Sequence, residues 1–227
     1  MGFSATRDAV YSSGHPAPGT GLKEPFGLIK SKDAGQNWQH LGLTGESDFH
    51  VLATSYRTNA IYVFTEHLNS RMRQPGMYFT RDDGKTWQRS AADGLRGAVT
   101  ALAVHPADAA IVAAGTKTGL YLSRDHGARF EPIITNALVA SVFFALQGQE
   151  LWYGSFDGRP ALTRMNLKSG EKAVVKLPPM EQDAVAYIAQ NPAQPAEWAI
   201  ATFKKDVYVS RDRGGFWRQI ARGGGTL

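Results

Sequence analysis

Short apolar runs, each ended by Gly, Pro or Asp, follow one another along the whole chain. The clearest example has runs at residues 99–106, 111–115, 119–123 and 130–134. Runs of this length between turn residues are typical of β-strands, and no stretch shows the longer period of a helix. The sequence therefore predicts an all-β chain built from units of four short strands.

A polar motif, Ser/Thr-x-Asp-x-Gly-x-x-aromatic, recurs after the third strand of these units. Its four copies occupy residues 31–38, 80–87, 123–130 and 210–217, with the aspartates Asp33, Asp82, Asp125 and Asp212. The intervals between the aspartates are 49, 43 and 87 residues, so the last is about twice the others. This spacing predicts a fifth, degenerate copy without its Asp at residues 163–170.

The residue types explain the motif, which we call the clip. A turn carboxylate can accept hydrogen bonds from backbone N–H groups a few residues further on, and Gly supplies the positive φ that the turn needs. The aromatic residue then begins the next strand and packs between neighbouring units. We therefore expect the clip aspartates to be structural and Trp38, Trp87 and Trp217 to lie in the core.

Five units of about 40–50 residues match the four-stranded blades of a β-propeller. The clips resemble the Asp-box (BNR) repeats of sialidases, sortilin-type ectodomains and xyloglucanase-like glycosidases. The chain looks most like bacterial exported Asp-box proteins that are labelled glycosyl hydrolases, and this resemblance implies an extracytoplasmic or secreted location.

We predict a single propeller domain over residues 1–227. Its blades are expected at about 2–44, 46–91, 95–135, 137–178 and 182–221. Either the five blades close by side-chain packing alone, or an upstream blade is missing from this chain. The short distance from Met1 to the first predicted strand favours the second alternative.

Composition excludes several classes of function. The chain has no cysteine, so disulfides, thiol catalysis and cysteine metal sites are ruled out. Its net charge of +5 is spread along the chain rather than clustered, which does not favour nucleic-acid binding. No apolar run approaches the roughly 18 residues of a membrane span, and no motif identifies a cofactor.

A functional site is expected on the propeller face opposite the clips. The loops between the second and third strands are long in blades 1 and 2, at residues 15–25 and 66–75, and long loops on a rigid scaffold often carry function. The residues expected at this mouth are His15, Asp48, His50, His67, Arg71, Arg73, Asp157, Arg159 and Asp183.

The favoured interpretation is recognition of a glycan, peptide or protein ligand, with ligand-binding candidates His15, His50, His67, Arg71, Arg73 and Arg159. A glycoside hydrolase is an alternative, because it needs two carboxylates across a pocket, and its catalytic candidates are Asp48, Asp157 and Asp183. The sialidase segment Phe/Tyr-Arg-Ile-Pro is absent from the sequence. A further alternative is a metal site at His15 and His50 with Asp48, since imidazole and carboxylate suit zinc, copper or iron.

Overall fold

The computed structural model describes residues 2–227, and it confirms the predicted all-β fold. Five antiparallel sheets form the blades of a β-propeller, and none of the described residues is helical. Within residues 2–227 there is accordingly no helix able to cross a membrane.

The strands follow the chain order of the blades. Blade 1 contains β1 (Gly2–Ala5), β2 (Val10–Ser13), β3 (Leu28–Ser31) and β4 (Gln39–Gly42). Blade 2 contains β5 (Val51–Thr54), β6 (Ile61–Thr65), β7 (Gly76–Thr80) and β8 (Gln88–Arg89). Blade 3 contains β9 (Val99–Val104), β10 (Val112–Thr116), β11 (Gly119–Ser123) and β12 (Glu131–Thr135). Blade 4 contains β13 (Leu138–Phe144), β14 (Glu150–Phe156), β15 (Pro160–Asn166) and β16 (Lys172–Val175). Blade 5 contains β17 (Val185–Gln190), β18 (Trp198–Thr202), β19 (Val207–Ser210), β20 (Arg218–Arg222) and a short fifth strand, β21 (Gly225–Thr226).

The chain forms two compact units. The first unit comprises the described residues up to Leu95, with Leu102–Val112 and Leu122–Glu131. The second unit comprises Arg96–Ala101, Ala113–Tyr121 and Pro132–Leu227. The core of the first unit joins blades 1 and 2. Its buried members are Ala9, Tyr11, Leu28, Leu43, Phe49, Leu52, Ile61, Val63, Met72 and Tyr78.

The core of the second unit joins blades 4 and 5. Trp152 is fully buried and stacks on Trp198 with ring centroids 4.1 Å apart, so it packs between blades 4 and 5. Trp217 packs into the same cluster and donates from Nε1 to the Lys176 carbonyl at 3.0 Å. Aromatic stacking of this kind joins two sheets through large apolar surfaces.

Each clip is closed by the same local hydrogen bonds. In blade 1 the Ser31 hydroxyl donates to Asp33 at 2.8 Å and accepts from the Gly35 N–H at 2.8 Å. The Asp33 carboxylate also accepts from the Asn37 N–H at 2.9 Å. These bonds recur in residues 80–87, 123–130 and 210–217. All partners lie within a few residues, so the motif specifies its own turn.

Two expectations about the clips need correction. Trp38 is 39% exposed rather than core, and its ring lies against its own turn, where Nε1 donates to the Gly35 carbonyl at 3.0 Å. In blade 4, Thr163 lies within strand β15, and the turn comes later than predicted. There the Asn166 side chain accepts from the N–H groups of Lys168 at 2.9 Å and Ser169 at 3.0 Å, so an amide replaces the clip carboxylate.

Candidate functional site

The long loop of blade 1 is held by backbone hydrogen bonds at its base. It leaves β2 at Gly14, whose carbonyl accepts from the Phe26 N–H at 2.8 Å. The Gly45 N–H donates to the Pro25 carbonyl at 2.7 Å, which joins the loop to the connection between β4 and β5. These bonds fix both ends of the loop, at the end of blades 1 and 2 that is opposite their clips. We call this the loop end.

The long loop of blade 2 is anchored more deeply. Met72 is fully buried in the core shared by blades 1 and 2. The Asn69 amide donates to the Ser47 hydroxyl at 2.9 Å, and its oxygen accepts from the Met72 N–H at 2.8 Å. Glu46 accepts from the Ser70 N–H at 2.7 Å. Both long loops are therefore tied to residues 45–47.

Asp48 lies directly after this anchored segment. The Gly27 N–H donates to the Ser47 carbonyl at 3.1 Å, and the Phe49 N–H donates to the buried Ser13 hydroxyl at 2.8 Å. Phe49 itself is only 1% exposed. The backbone on both sides of Asp48 is thus fixed, and its carboxylate has a defined position.

Two imidazoles cover the Asp48 carboxylate. Its Oδ2 lies 3.0 Å from Nε2 of His15 and 2.9 Å from Nε2 of His50. The Nδ1 atom of His15 lies 3.4 Å from a carboxylate oxygen of Glu24. The Asp48 side chain is 11% exposed, whereas His15 and His50 are 52% and 71% exposed. The structure thus brings His15, Asp48 and His50 together, as the sequence predicts.

The Asp48 carboxylate is buried without well-formed hydrogen bonds. Both of its oxygens are inaccessible, and neither has a partner of hydrogen-bonding geometry, although Nε2 of His15 and Nε2 of His50 lie within 3.0 Å of Oδ2. A buried charge of this kind is costly unless it is paired. The Asp48 carboxylate therefore lies beneath two exposed imidazoles, and the Glu24 carboxylate lies beside His15.

The same residues include His15 and His50, which the sequence predicts as metal ligands. Among residues 2–227, no group of three or more His, Asp or Glu side chains is arranged to hold a metal ion. The two imidazoles and Asp48 share a single oxygen rather than surrounding a common space. The metal-ligand roles of His15 and His50 stay a prediction.

The other predicted residues of the first unit have different environments. The Arg71 guanidinium donates to the Gly84 carbonyl of the blade 2 clip and lies 3.1 Å from the position of a Cβ on Gly42. It is therefore engaged in packing between blades 1 and 2. His67 and Arg73 are exposed, and His67 exchanges backbone hydrogen bonds with the Thr65 hydroxyl.

Three predicted residues belong to the second unit. Asp157 and Arg159 are exposed in the turn between β14 and β15. Asp183 is 8% exposed, and its carboxylate accepts from the N–H groups of Ala184 at 2.8 Å and Lys204 at 3.2 Å. Asp183 thus joins the start of β17 to the β18–β19 turn, which accounts for its burial. Its catalytic role stays a prediction.

Sequence reasoning did not single out Glu24 or Asn69. Glu24 lies in the long loop that the sequence identified, but its contact with His15 depends on how that loop folds back. Asn69 also lies in a predicted loop, and two of its hydrogen bonds are local, as an Asn side chain in a turn commonly makes. The local hydrogen bonds of Asn69 could have been inferred from the sequence, whereas its hydrogen bond to Ser47 could not.

The chain matches the family model Sortilin-Vps10 (sortilin, neurotensin receptor 3) over residues 27–159, which is more than half of its length. The chain belongs to the Sortilin-Vps10 family. No curated protein matches the sequence. The matched segment of this Sortilin-Vps10 chain contains strands β3 and β4 of blade 1, the second and third blades and part of the fourth blade. It includes Asp48, His50 and the long loop of blade 2.

Solved structures that resemble the Sortilin-Vps10 chain share its fold. A GH74 enzyme from Niastella koreensis has a TM-score of 0.64 at 14% identity, over 96% of this chain and 37% of the enzyme. The GH74 xyloglucanase from Xanthomonas campestris has a TM-score of 0.61 at 16% identity, over 96% and 38%. The extracellular domain of the one component system BT4673 from B. thetaiotaomicron has a TM-score of 0.59 at 14% identity, over 88% and 26%. The chain thus spans less than two fifths of each of these proteins.

Proposed function

We propose that the chain is a ligand-binding propeller module that recognises a basic group at the loop end of blades 1 and 2. The observation that carries this proposal is the buried Asp48 carboxylate, which lacks well-formed hydrogen bonds and lies beneath two exposed imidazoles. An ammonium or guanidinium group supplies the donors that such a carboxylate lacks, and charge-assisted hydrogen bonds are the strong ones.

The surroundings of Asp48 support a cationic ligand. With neutral imidazoles, the group of His15, Glu24, Asp48 and His50 carries two negative charges, from Glu24 and Asp48. The ring of His50 is 71% exposed, so it can turn away at little cost in packing. The backbone below is fixed by Ser13 and Phe49, so the carboxylate itself does not need to reorganise, and a preorganised site loses less entropy on binding.

An array of synthetic peptides tests this proposal. Each peptide is made with a central Arg or Lys and again with Gln, and binding is measured for the wild type and Asp48→Asn. We expect the wild type to prefer the basic peptides. We expect Asp48→Asn to weaken that binding by at least about tenfold, because truncating one partner of a desolvated charge pair typically costs this much or more.

Asp93→Asn is the matched control, since Asp93 is exposed in the connection between blades 2 and 3. It should bind the basic peptides like the wild type. Equal binding of the Arg and Gln peptides by the wild type would refute the proposal, and so would an Asp48→Asn variant that keeps the preference for basic peptides.

A metal site is the second candidate. One observation favours it: two Nε2 atoms lie within 3.0 Å of one carboxylate oxygen without hydrogen-bonding geometry. Imidazole nitrogens and a carboxylate are ligands that zinc, copper and iron accept. Elemental analysis of the purified protein tests it, because a stoichiometric metal that is lost in His50→Ala supports the site. We place it second because the residues do not surround a common space.

Glycoside hydrolysis stays a prediction from the sequence. Its support is the fold shared with GH74 enzymes at 14–16% identity, and a shared propeller fold does not specify chemistry. Of its three candidate carboxylates, that of Asp183 already accepts hydrogen bonds from two backbone N–H groups. Assay of xyloglucan and other β-glucan hydrolysis by the purified chain tests this alternative.

A further inference from the structure

A cleft lies between turns of blades 2 and 3 within the first unit. Its volume of about 360 Å³ is large enough for a small molecule. Its lining includes three alanines and three charged or titratable side chains, namely Ala60, Ala107, Ala109, Arg81, Asp108 and His126. Sites for small molecules commonly combine an apolar lining with a few polar groups, so the polar groups of this cleft indicate which ligand it can take.

The Arg81 side chain is held in place by two rings. Its Cζ lies 5.6 Å from the centroid of the Phe79 ring, and its Nη2 lies 2.7 Å from Nε2 of His126. The His126 ring in turn stacks on Phe79 with centroids 5.2 Å apart. A guanidinium over an aromatic face is attracted by the ring. Arg81 is exposed, but these contacts give its guanidinium a defined position at the cleft.

The hydrogen bonds of His126 follow from its contact with Arg81. A guanidinium carries donors only, so Nε2 of His126 accepts from Arg81 and the ring proton is on Nδ1. This Nδ1 lies 3.1 Å from the Ala109 carbonyl, to which it donates. The Tyr62 hydroxyl donates to the same carbonyl at 2.6 Å. In this arrangement the imidazole is uncharged, and the positive charge of Arg81 is not delocalised onto an acid.

Arg81 has no acidic partner within residues 2–227. His126 is its one hydrogen-bond partner in this part of the chain, which leaves the N–H groups of Nε and Nη1 unpaired. The same clip position carries Arg211 in blade 5, where Nε lies 3.5 Å from a carboxylate oxygen of Glu197. The clip cation is therefore paired with a carboxylate in blade 5 but not in blade 2.

The blade register shows which residue replaces that carboxylate. Glu197 directly precedes β18, and Ala60 directly precedes β6. The first residue of each of these strands pairs with the Ser or Thr that begins the clip of its blade. Ala60 therefore stands where blade 5 has Glu197, and it lines the cleft. The cleft thus offers a guanidinium from which the carboxylate of the equivalent blade is missing.

Asp108 supplies a hydrogen-bond acceptor to the same cleft. Its Oδ1 accepts from the Ala110 N–H at 2.9 Å, whereas its Oδ2 has no hydrogen-bond donor among residues 2–227. A carboxylate here repels an anion of high charge, but it accepts from a hydroxyl or an ammonium group. The two unpaired groups of Arg81 and Asp108 therefore call for a ligand with both an anionic group and a donor.

We propose that this cleft binds a small carboxylate that also carries a hydrogen-bond donor. Arg81 binds the carboxylate, because a guanidinium matches its two oxygens, and Asp108 accepts from a hydroxyl or ammonium group of the same molecule. The alanines contact its carbon skeleton. Sugar acids and amino acids share this chemistry. The site is separate from the Asp48 carboxylate at the loop end, for which a basic ligand is proposed.

Saturation-transfer NMR titrations of the purified chain test the site, with D-glucuronate and L-serine as probes and D-glucose as the uncharged counterpart of glucuronate. At least one of the two carboxylates should bind the wild type, and glucose should bind at least about tenfold more weakly than glucuronate. The two probes distinguish a hydroxyl donor from an ammonium donor. The Hε1 resonance of His126 should shift on binding, because its ring contacts Arg81.

Substitutions of Arg81 identify its role. Arg81→Gln should weaken binding by at least about tenfold, through loss of charge-assisted hydrogen bonds. Arg81→Lys should fall between the wild type and Arg81→Gln, because an ammonium keeps the charge but not the fork geometry. Arg211→Gln is the matched control, since it changes the same clip position where the arginine is paired with Glu197. It should bind the probes like the wild type.

Asp48→Asn should leave this binding unchanged, which separates the cleft from the loop end. The proposal is overturned if neither carboxylate binds the wild type, or if glucose binds as well as glucuronate. Binding that Arg81→Gln leaves unchanged, or that Arg211→Gln weakens equally, would also contradict it. Circular dichroism checks that the variants are folded. The comparison of glucuronate with glucose on the wild type does not depend on any variant.

Discussion

Blades 1 and 2 carry carboxylates at the end where the clips lie, the clip end, and at the opposite loop end. The carboxylates at the two ends differ in their hydrogen bonding. At the clip end, Asp33 and Asp82 accept hydrogen bonds from hydroxyl and backbone N–H groups of their own turns, and Asp83 is paired with Lys30 and Tyr11. At the loop end, Asp48 is buried beside His15 and His50 without a well-formed hydrogen bond.

The clip carboxylates stabilise their own turns, whereas we propose that the Asp48 carboxylate is available to a ligand. The bonds of the clip end lower the pKa of its carboxylates, since they favour the charged form. Burial raises the pKa of the Asp83 carboxyl, but hydrogen bonds from Lys30 and Tyr11 outweigh it and lower that pKa overall. Burial and the bond to Asp83 raise the pKa of Tyr11 to about 12. Asp48 lacks such bonds although its backbone is firmly held. A buried polar group without partners calls for an explanation, and the proposed ligand binding supplies one.

The largest expected effect tests whether the loop end is a rigid scaffold. Met72→Ala removes a fully buried side chain that anchors the loop at residues 66–75. We expect it to lower the free energy of unfolding by about 3 kcal/mol, through lost burial and a cavity. Urea denaturation measures the change. Leu68→Ala, at a 61% exposed position of the same loop, is the control and should change stability by less than about 0.5 kcal/mol. Equal effects of the two substitutions would show that the loop is not anchored by its core residue.

Asp83→Asn tests the paired carboxylate of the clip end. It leaves the Lys30 ammonium, whose side chain is 10% exposed, without its charged partner. Because Asp83 is itself 36% exposed, we expect a loss of about 1–2 kcal/mol rather than the larger cost of breaking a fully buried pair. A double-mutant cycle with Lys30→Met should recover a coupling of similar size. Additive effects of the two substitutions would contradict the pairing.

The pH dependence of stability gives a smaller effect at the clip end. The backbone N–H of Asn37 is the largest influence that holds the pKa of Asp33 at about 2, and the Thr86 hydroxyl does the same for Asp82. Their ordinary value is 3.8. The folded pKa values are depressed, so the contribution of these groups is complete above pH 3.8 and is lost as the pH falls towards 2.

Thermal unfolding between pH 5 and pH 2 measures this contribution. The wild type should lose stability in that window, and Asp82→Asn should lose less on acidification. Asp93→Asn, which alters an exposed aspartate outside the clips, should follow the wild-type profile. If the thermal stability of Asp82→Asn falls with pH as steeply as that of the wild type, the clip carboxylates do not cause the acid dependence.

The clips were predictable from sequence because their contacts are local. All partners of Asp82 in its turn lie within four residues, so the motif carries its own structure. The exposure of Trp38 was not predictable from the motif, since burial of a clip aromatic depends on the blade before it. The turn of blade 4 moved because β15 extends to Asn166, which can form the turn without the clip residues.

The grouping of His15, Asp48 and His50 was predictable from topology, because these residues lie at strand ends that meet at the loop end. The buried state of the Asp48 carboxylate was not, since it depends on the positions of two imidazoles and a long loop. The contact of His126 with blade 2 could not be inferred from sequence either, because its partners Tyr62 and Phe79 are distant in the chain and only the blade register brings them together.

The most direct test of the central claim is the free energy of unfolding of Asp48→Asn at pH 7.5, compared with the wild type and Asp83→Asn. A buried carboxylate without hydrogen bonds costs free energy. We therefore expect Asp48→Asn to be at least as stable as the wild type, while Asp83→Asn loses about 1–2 kcal/mol. A loss in Asp48→Asn as large as that in Asp83→Asn would show that Asp48 stabilises the fold, and would contradict its assignment to ligand binding.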